Sequence, residues 1–192
     1  DAKRGSVRAT ACKVNGDKLV MACGSTGIHL VDVSNPILPV KLATLKPYVT
    51  GANSAIFASS NLIAMSGLSL EALIDYSTPT NLVAVGSFTT ATTGGSFIEA
   101  TYTNGSLFIA ASGAGLVSLS ITNPITPTII YKTNTTSLGV VGVSISGTNI
   151  YLAAQTPGVI MYYLTSSNTF NVSNLGWQTP GIASRVLVDA YD

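Results

Sequence analysis

The side chains best suited to chemistry are few, and they do not cluster. His29 is the single histidine. It lies between Ile28 and Leu30 on an alternating run, with no Ser, Cys or carboxylate partner in a recognised catalytic motif. Eight carboxylates serve the whole chain. Asp32 and Asp75 each stand just before a turn, where Asp commonly bonds local backbone N–H groups. Glu71 and Glu99 belong to different segments. A glycosidase needs two carboxylates facing across one site; Glu99 with Asp75 or with Asp189 are the pairs to weigh, and no motif supports either. The phosphate-cradling, dinucleotide, nucleophile-elbow and zinc-protease motifs are absent. So is the Asp-rich calcium loop. The sequence is therefore read as having no catalytic residues, no cofactor site and no metal site, and the chain as not an enzyme.

Ten residues separate Cys12 from Cys23. They fall on the two arms of a hairpin predicted to turn at Asn15-Gly16. If Val14 pairs with Leu19, Cys12 faces Met21, and a disulfide, which needs Cβ atoms about 4 Å apart, would require a register shift or bulge. The alternative is two small buried side chains. Aromatics able to stack on a sugar include Tyr131, Tyr162, Tyr163 and Trp177. Tyr162 and Tyr163 are adjacent on a strand, so they point to opposite faces. Trp177 sits in the turn-rich stretch 174–181 and is the candidate ligand aromatic. Three N-x-[ST] sequons mark Asn104, Asn134 and Asn171 as glycosylation candidates, and the Thr/Ser-rich stretch Thr89–Thr93 is a further one.

Composition frames these residues. Of 192 residues, 9% are charged and 46% hydrophobic, and the formal net charge is +1. Ordinary soluble domains carry roughly 25% charged residues. Here 22 Ser and 23 Thr supply the polarity. The chain has too much apolar content for a disordered tail and too little basic charge for a phosphate backbone. It has no run of about 18 apolar residues that could cross a bilayer as a helix. It begins at Asp1 without Met or an apolar leader, which fits a mature product or a piece of something longer. A surface with so few ions fits an extracellular or cell-surface setting, where sugars or close neighbours supply solubility.

The elements that must position these residues repeat. The runs Leu19–Ala22, Leu62–Met65, Leu107–Ala110 and Ile150–Ala153 are spaced by 43, 45 and 43. Gly27, Leu70, Gly115 and Gly158 keep the same spacing, and the turns Ser34-Asn35-Pro36, Ser77-Thr78-Pro79 and Thr122-Asn123-Pro124 run in step. Each repeat reads as four short strands separated by Gly, Asn and Pro turns, and no stretch has helical periodicity. Four strands per roughly 44 residues is the arithmetic of a β-propeller blade. The expected fold is all-β, with blades at 7–51, 52–96, 97–139 and 140–181 and an extra strand at 182–192.

The segment Gly27-Ile28-His29-Leu30-Val31-Asp32-Val33-Ser34-Asn35-Pro36, preceded by Leu19–Cys23, resembles the LVIVD repeat. Leu73-Ile74-Asp75-Tyr76-Ser77-Thr78-Pro79 is a second copy. The third, Leu119-Ser120-Ile121-Thr122-Asn123-Pro124, replaces the Asp with Ser, and the fourth has lost its Pro. The resemblance implies a β-propeller of a surface or secreted protein and supplies no catalytic residues.

Two functions from different classes follow. One is an extracellular, non-enzymatic structural or interaction module, able to serve as a subunit of a head-to-tail filament or surface assembly. The other is a lectin-like propeller that binds carbohydrate through Trp177 or the tyrosines. For the first, the leftover strand carrying Arg185, Val186, Val188 and Asp189 is the expected connector to a neighbouring copy. Charge supports joining through the chain ends: residues 1–50 carry seven basic and three acidic residues, and 51–192 carry two and five.

Overall fold

A computed structural model of the chain describes residues 8–46, 51–133, 139–156, 158–166, 169–171 and 182–188. It is all-β. Four antiparallel sheets follow one another along the chain, each with four strands in sequential order. Sheet 1 holds β1 (Ala11–Asn15), β2 (Lys18–Ala22), β3 (Ile28–Asp32) and β4 (Val40–Leu45). Sheet 2 holds β5 (Ala52–Phe57), β6 (Leu62–Gly67), β7 (Leu70–Asp75) and β8 (Val83–Thr89). Sheet 3 holds β9 (Phe97–Thr103), β10 (Ser106–Ala111), β11 (Gly115–Ser120) and β12 (Thr128–Lys132). Sheet 4 holds β13 (Val140–Ser146), β14 (Asn149–Ala154), β15 (Gly158–Ser166) and β16 (Thr169–Asn171). Helix among the described residues amounts to a 3-10 turn at Thr90–Thr92.

Short turns set the hairpins. Asn104 (φ 47°) and Gly105 (φ 76°) form the tip between β9 and β10, the two-residue turn that needs positive φ at both positions. In sheet 1, Asn15 pairs with Lys18, so the tip is Gly16-Asp17, one residue later than Asn15-Gly16. Cys12 faces Met21, as Val14 faces Leu19. Both cysteines are free thiols, Cys12 exposed and Cys23 buried.

Sheet 2 corrects the repeat register by one residue. Leu19 opposes Val14, Leu107 opposes Tyr102 and Ile150 opposes Ile145. In sheet 2 the residue opposing Phe57 is Ile63, not Leu62. The longer connection through Ser59, Ser60 and Asn61 absorbs the extra residue, with Ala58 N–H donating to the Leu62 carbonyl at 2.8 Å. Because strand side chains alternate, this one-residue slip decides which face each apolar residue occupies.

With that register every junction is built alike. Val20, Ala22, Ile28 and Leu30 of sheet 1 pack on Ala55, Ile63, Met65 and Ile74 of sheet 2. Ile56, Ala64 and Leu73 of sheet 2 pack on Leu107, Ile109, Val117 and Leu119 of sheet 3. Phe108, Ala110 and Leu116 of sheet 3 pack on Ile150, Leu152, Ile160 and Tyr162 of sheet 4. Sheets 2 and 3 are therefore apolar on both faces. The outer faces of the end sheets differ: Leu19, Met21 and Val31 of sheet 1, and Tyr151, Val159 and Met161 of sheet 4, are half-buried.

Residues 182–188 lie against sheet 4 without strand structure, which corrects the expectation of an extra strand over the described part of 182–192. Ala183 N–H donates to the Ala154 carbonyl at 3.3 Å and Val188 N–H to Ser144 Oγ at 3.1 Å. One of these bonds goes to a side chain and the other stands alone, so the described part of the segment lacks the successive backbone pairs of a ladder; residues 189–192 lie outside the described residues.

Backbone also meets backbone between sheets. A Cβ built on Gly86 of β8 would lie 1.8 Å from the Pro124 carbonyl oxygen in the β11–β12 connection. Gly86→Ala should therefore destabilise the chain by about 1–3 kcal/mol through forced separation of sheets 2 and 3. A urea unfolding curve with an unchanged midpoint would show that the two backbones do not meet there.

Candidate functional site

The four first strands, β1, β5, β9 and β13, lie next to one another in order. Their positions recur, so corresponding side chains converge. A cavity of about 190 Å³ is lined by Thr10 and Ala11, Asn53 and Ser54, Ile98 and Glu99, Val141, and Ser184 and Arg185. These are the same two repeat positions taken from successive units. A second cavity of about 380 Å³ draws on the next positions, including Lys13, Phe57, Tyr102, Ser144 and Leu187. Segment 182–188 thus contributes to both openings at the positions a fifth first strand would hold.

Polar side chains on these strands tie each unit to the next. Thr10 Oγ1 donates to the Ala52 carbonyl at 2.9 Å and Asn53 Nδ2 to the Phe97 carbonyl at 2.7 Å. Val143 N–H donates to Glu99 Oε2 at 3.4 Å, and Val188 N–H to Ser144 Oγ at 3.1 Å. The other Glu99 oxygen lies 3.6 Å from the Arg185 guanidinium. Glu99 therefore sits between the two cavities with Arg185 beside it and Lys13 on the wall of the larger one. The chemistry available there is hydrogen bonding and charge pairing. Asp75 lines a different cavity and accepts the Ser77 N–H at 2.7 Å, so the Glu99–Asp75 pairing is not assembled.

The remaining sequence candidates have structural work or lie elsewhere. Asp32 accepts the Ser34 N–H at 2.9 Å as well as the Ser34 hydroxyl and Lys18. Those bonds, Ser34 first, hold its carboxyl down at about 2. Lys18, shared between Asp17 and Asp32, is raised in turn, with the Asp17 bond the largest cause. His29 shares hydrogen bonds with Thr44 Oγ1 at 3.2 Å and Thr26 Oγ1 at 3.5 Å; burial, then the Lys41 charge, lowers its pKa. Tyr162 is buried and Tyr163 exposed, on opposite faces. Asn104 is exposed at its hairpin tip. Asn171 lies on β16. Arg185, Val186 and Val188 lie on the C-terminal segment. Asn134, Trp177 and Asp189 lie outside the described residues.

One group was not singled out by motif. Register places Ser54, Ser66 and Glu71 in a row across β5, β6 and β7. The same row reads Ala11–Ala22–Ile28 in sheet 1 and Glu99–Ala110–Leu116 in sheet 3. Glu71 is 1% exposed, and both its carboxyl oxygens and the two serine hydroxyls are buried without a hydrogen-bond partner. The available signal was a charged residue in a position that is apolar in the other repeats.

Burial pushes the Glu71 carboxyl up to about 8, and the nearby Ser66 hydroxyl draws it only partly back. Below about pH 4.5 folded and unfolded chains both hold this proton, and it costs nothing. From there to about pH 8 the unfolded chain releases the proton while the folded one keeps it, so stability falls as pH rises. Above that the loss is constant, on the order of 5 kcal/mol at about 1.4 kcal/mol per pKa unit. Glu71→Leu, matching Ile28 and Leu116, should flatten the decline and raise stability at pH 8. Chemical denaturation from pH 4 to 9 checks it; parallel curves for the two proteins would place the carboxyl in water.

No family model matches the chain, and no curated protein does. Solved structures similar to it include the computationally designed Ika8 protein, with a TM-score of 0.71 at 9% identity over 95% of this chain. The match takes in 53% of that protein, so the chain spans about half its length. The computationally designed Ika4 protein is similar with a TM-score of 0.66 at 11% identity, over 85% of this chain and 96% of that one. At these identities the likeness is one of fold.

Proposed function

We propose that the chain is a non-enzymatic structural or interaction module, used outside the cell or at its surface. Its four sheets act as consecutive blades of a β-propeller of the LVIVD kind, and its ends join it to other copies. The observation that carries this reading is the difference between inner and outer faces. Ile63, Met65 and Ile74 are fully buried against sheet 1. Leu19, Met21 and Val31 hold the same positions on the outer face of sheet 1 and remain half-exposed. Exposed apolar surface of this patterned kind marks a site of association. Low charge fits it as well: 9% charged side chains give little repulsion between copies. Glycan at Asn104, Asn134 or Asn171 is part of the same proposal, supplying solubility that ions do not.

Light scattering at rising concentration, beside an intact-mass measurement on protein from its native source, tests both parts. The expected result is a particle mass that grows in steps of one chain, and a chain mass above 19.7 kDa. A single-chain particle at every concentration would remove the assembly role, and a bare-polypeptide mass would remove the glycan.

A further inference from the structure

We propose that segment 182–188 is a displaceable stand-in: it covers the place beside β13 that β1 of a second copy takes on assembly. This rests on the module reading and names its interface. The segment holds a first-strand position by equivalence. Ser184 and Arg185 line the small cavity alongside Thr10 and Ala11, which hold the same repeat positions at the start of the first unit. The bond from Val188 N–H to Ser144 spans 44 residues, as do the bonds joining Asn53 to Phe97 and Glu99 to Val143.

The segment is lightly held. Its described bonds to sheet 4 are the two from Ala183 and Val188, at 3.3 and 3.1 Å. The Arg185–Glu99 contact is 3.6 Å, with the Arg185 side chain 64% exposed, a geometry that contributes little. Ile182 and Leu187 are 75% and 72% exposed. A whole incoming sheet offers much more. Behind β1 it brings Leu19, Met21 and Val31 to face Tyr151, Val159 and Met161, as sheet 2 faces sheet 1 and sheet 4 faces sheet 3 inside the chain. Charge does not oppose it: residues 139–171, which form the receiving sheet, contain no Asp, Glu, Lys or Arg. The contact uses different surfaces on the two copies, so it is head-to-tail and closes a ring or propagates.

Removing residues 182–192 tests the idea, with Val188→Pro as a second variant that abolishes the N–H bonded to Ser144 while keeping the chain length. Both should self-associate about tenfold more tightly than the full chain, the gain expected when a place occupied nine times in ten is freed. Adding Met21→Glu to either should return it to a single-chain particle with unchanged far-ultraviolet circular dichroism. A synthetic 182–192 peptide should also suppress association of the truncated protein. Association unchanged or weakened in both variants overturns the stand-in. If Met21→Glu then still dissociates the full chain, the module reading survives that result. If no form associates at any concentration, both fall.

Discussion

Every sheet in this chain except the outermost must hide two apolar faces, and a single sheet cannot do that alone. Burying a Leu or Ile side chain contributes about 1.5–3 kcal/mol, and each junction buries several from both sides. A side-chain hydrogen bond contributes only about 0.5–1.5 kcal/mol net. The faces therefore hold the sheets together. The bonds from Thr10, Asn53, Glu99 and Ser144 do something different: they fix how far one first strand lies from the next, so that the faces meet in register. Directional contacts set the geometry that non-directional burial then stabilises.

Polarity is spent in the same economical way. Asp32 and Asp75 serve turns, and Thr133 bonds the Ala114 carbonyl while accepting the Leu116 N–H. Glu71 is the exception. It occupies a row that is apolar in sheet 1, and its neutral form is the one the surroundings favour. Ser54 and Ser66 beside it continue the anomaly into β5 and β6. The junction between sheets 2 and 3 is thus chemically distinct from its neighbours while sharing their shape.

The fold was largely legible in the sequence because a repeat announces its own period. Three markers in step placed four strands per unit, and the Cys12–Met21 pairing followed from the hairpin alone. What escaped was the phase within one unit. Leu62 and Ile63 are both apolar, so composition could not tell which one faces inward, and the longer Ser59–Asn61 connection hid the shift. Glu99 was visible as a carboxylate, but its partner Arg185 lies far along the chain, and only the convergence of equivalent positions brings them together. The row around Glu71 needed the corrected phase before it could be seen at all. The LVIVD resemblance and the extracellular setting rest on the sequence and remain proposals.

The contrast between inner and outer faces has a kinetic side. Among the described residues, sheets 2 and 3 are covered front and back, whereas sheets 1 and 4 are each covered once. In arrays whose units touch only their neighbours, stability is a sum of unit and junction contributions. Opening an end sheet sacrifices one junction; opening a middle sheet sacrifices two. Amide exchange in β6 and β10 therefore waits on the loss of the whole array, while β2 and β14 exchange through fraying from either side. The molecule comes apart from its ends inward, and any partner that covers an end slows exchange first in the sheet it touches.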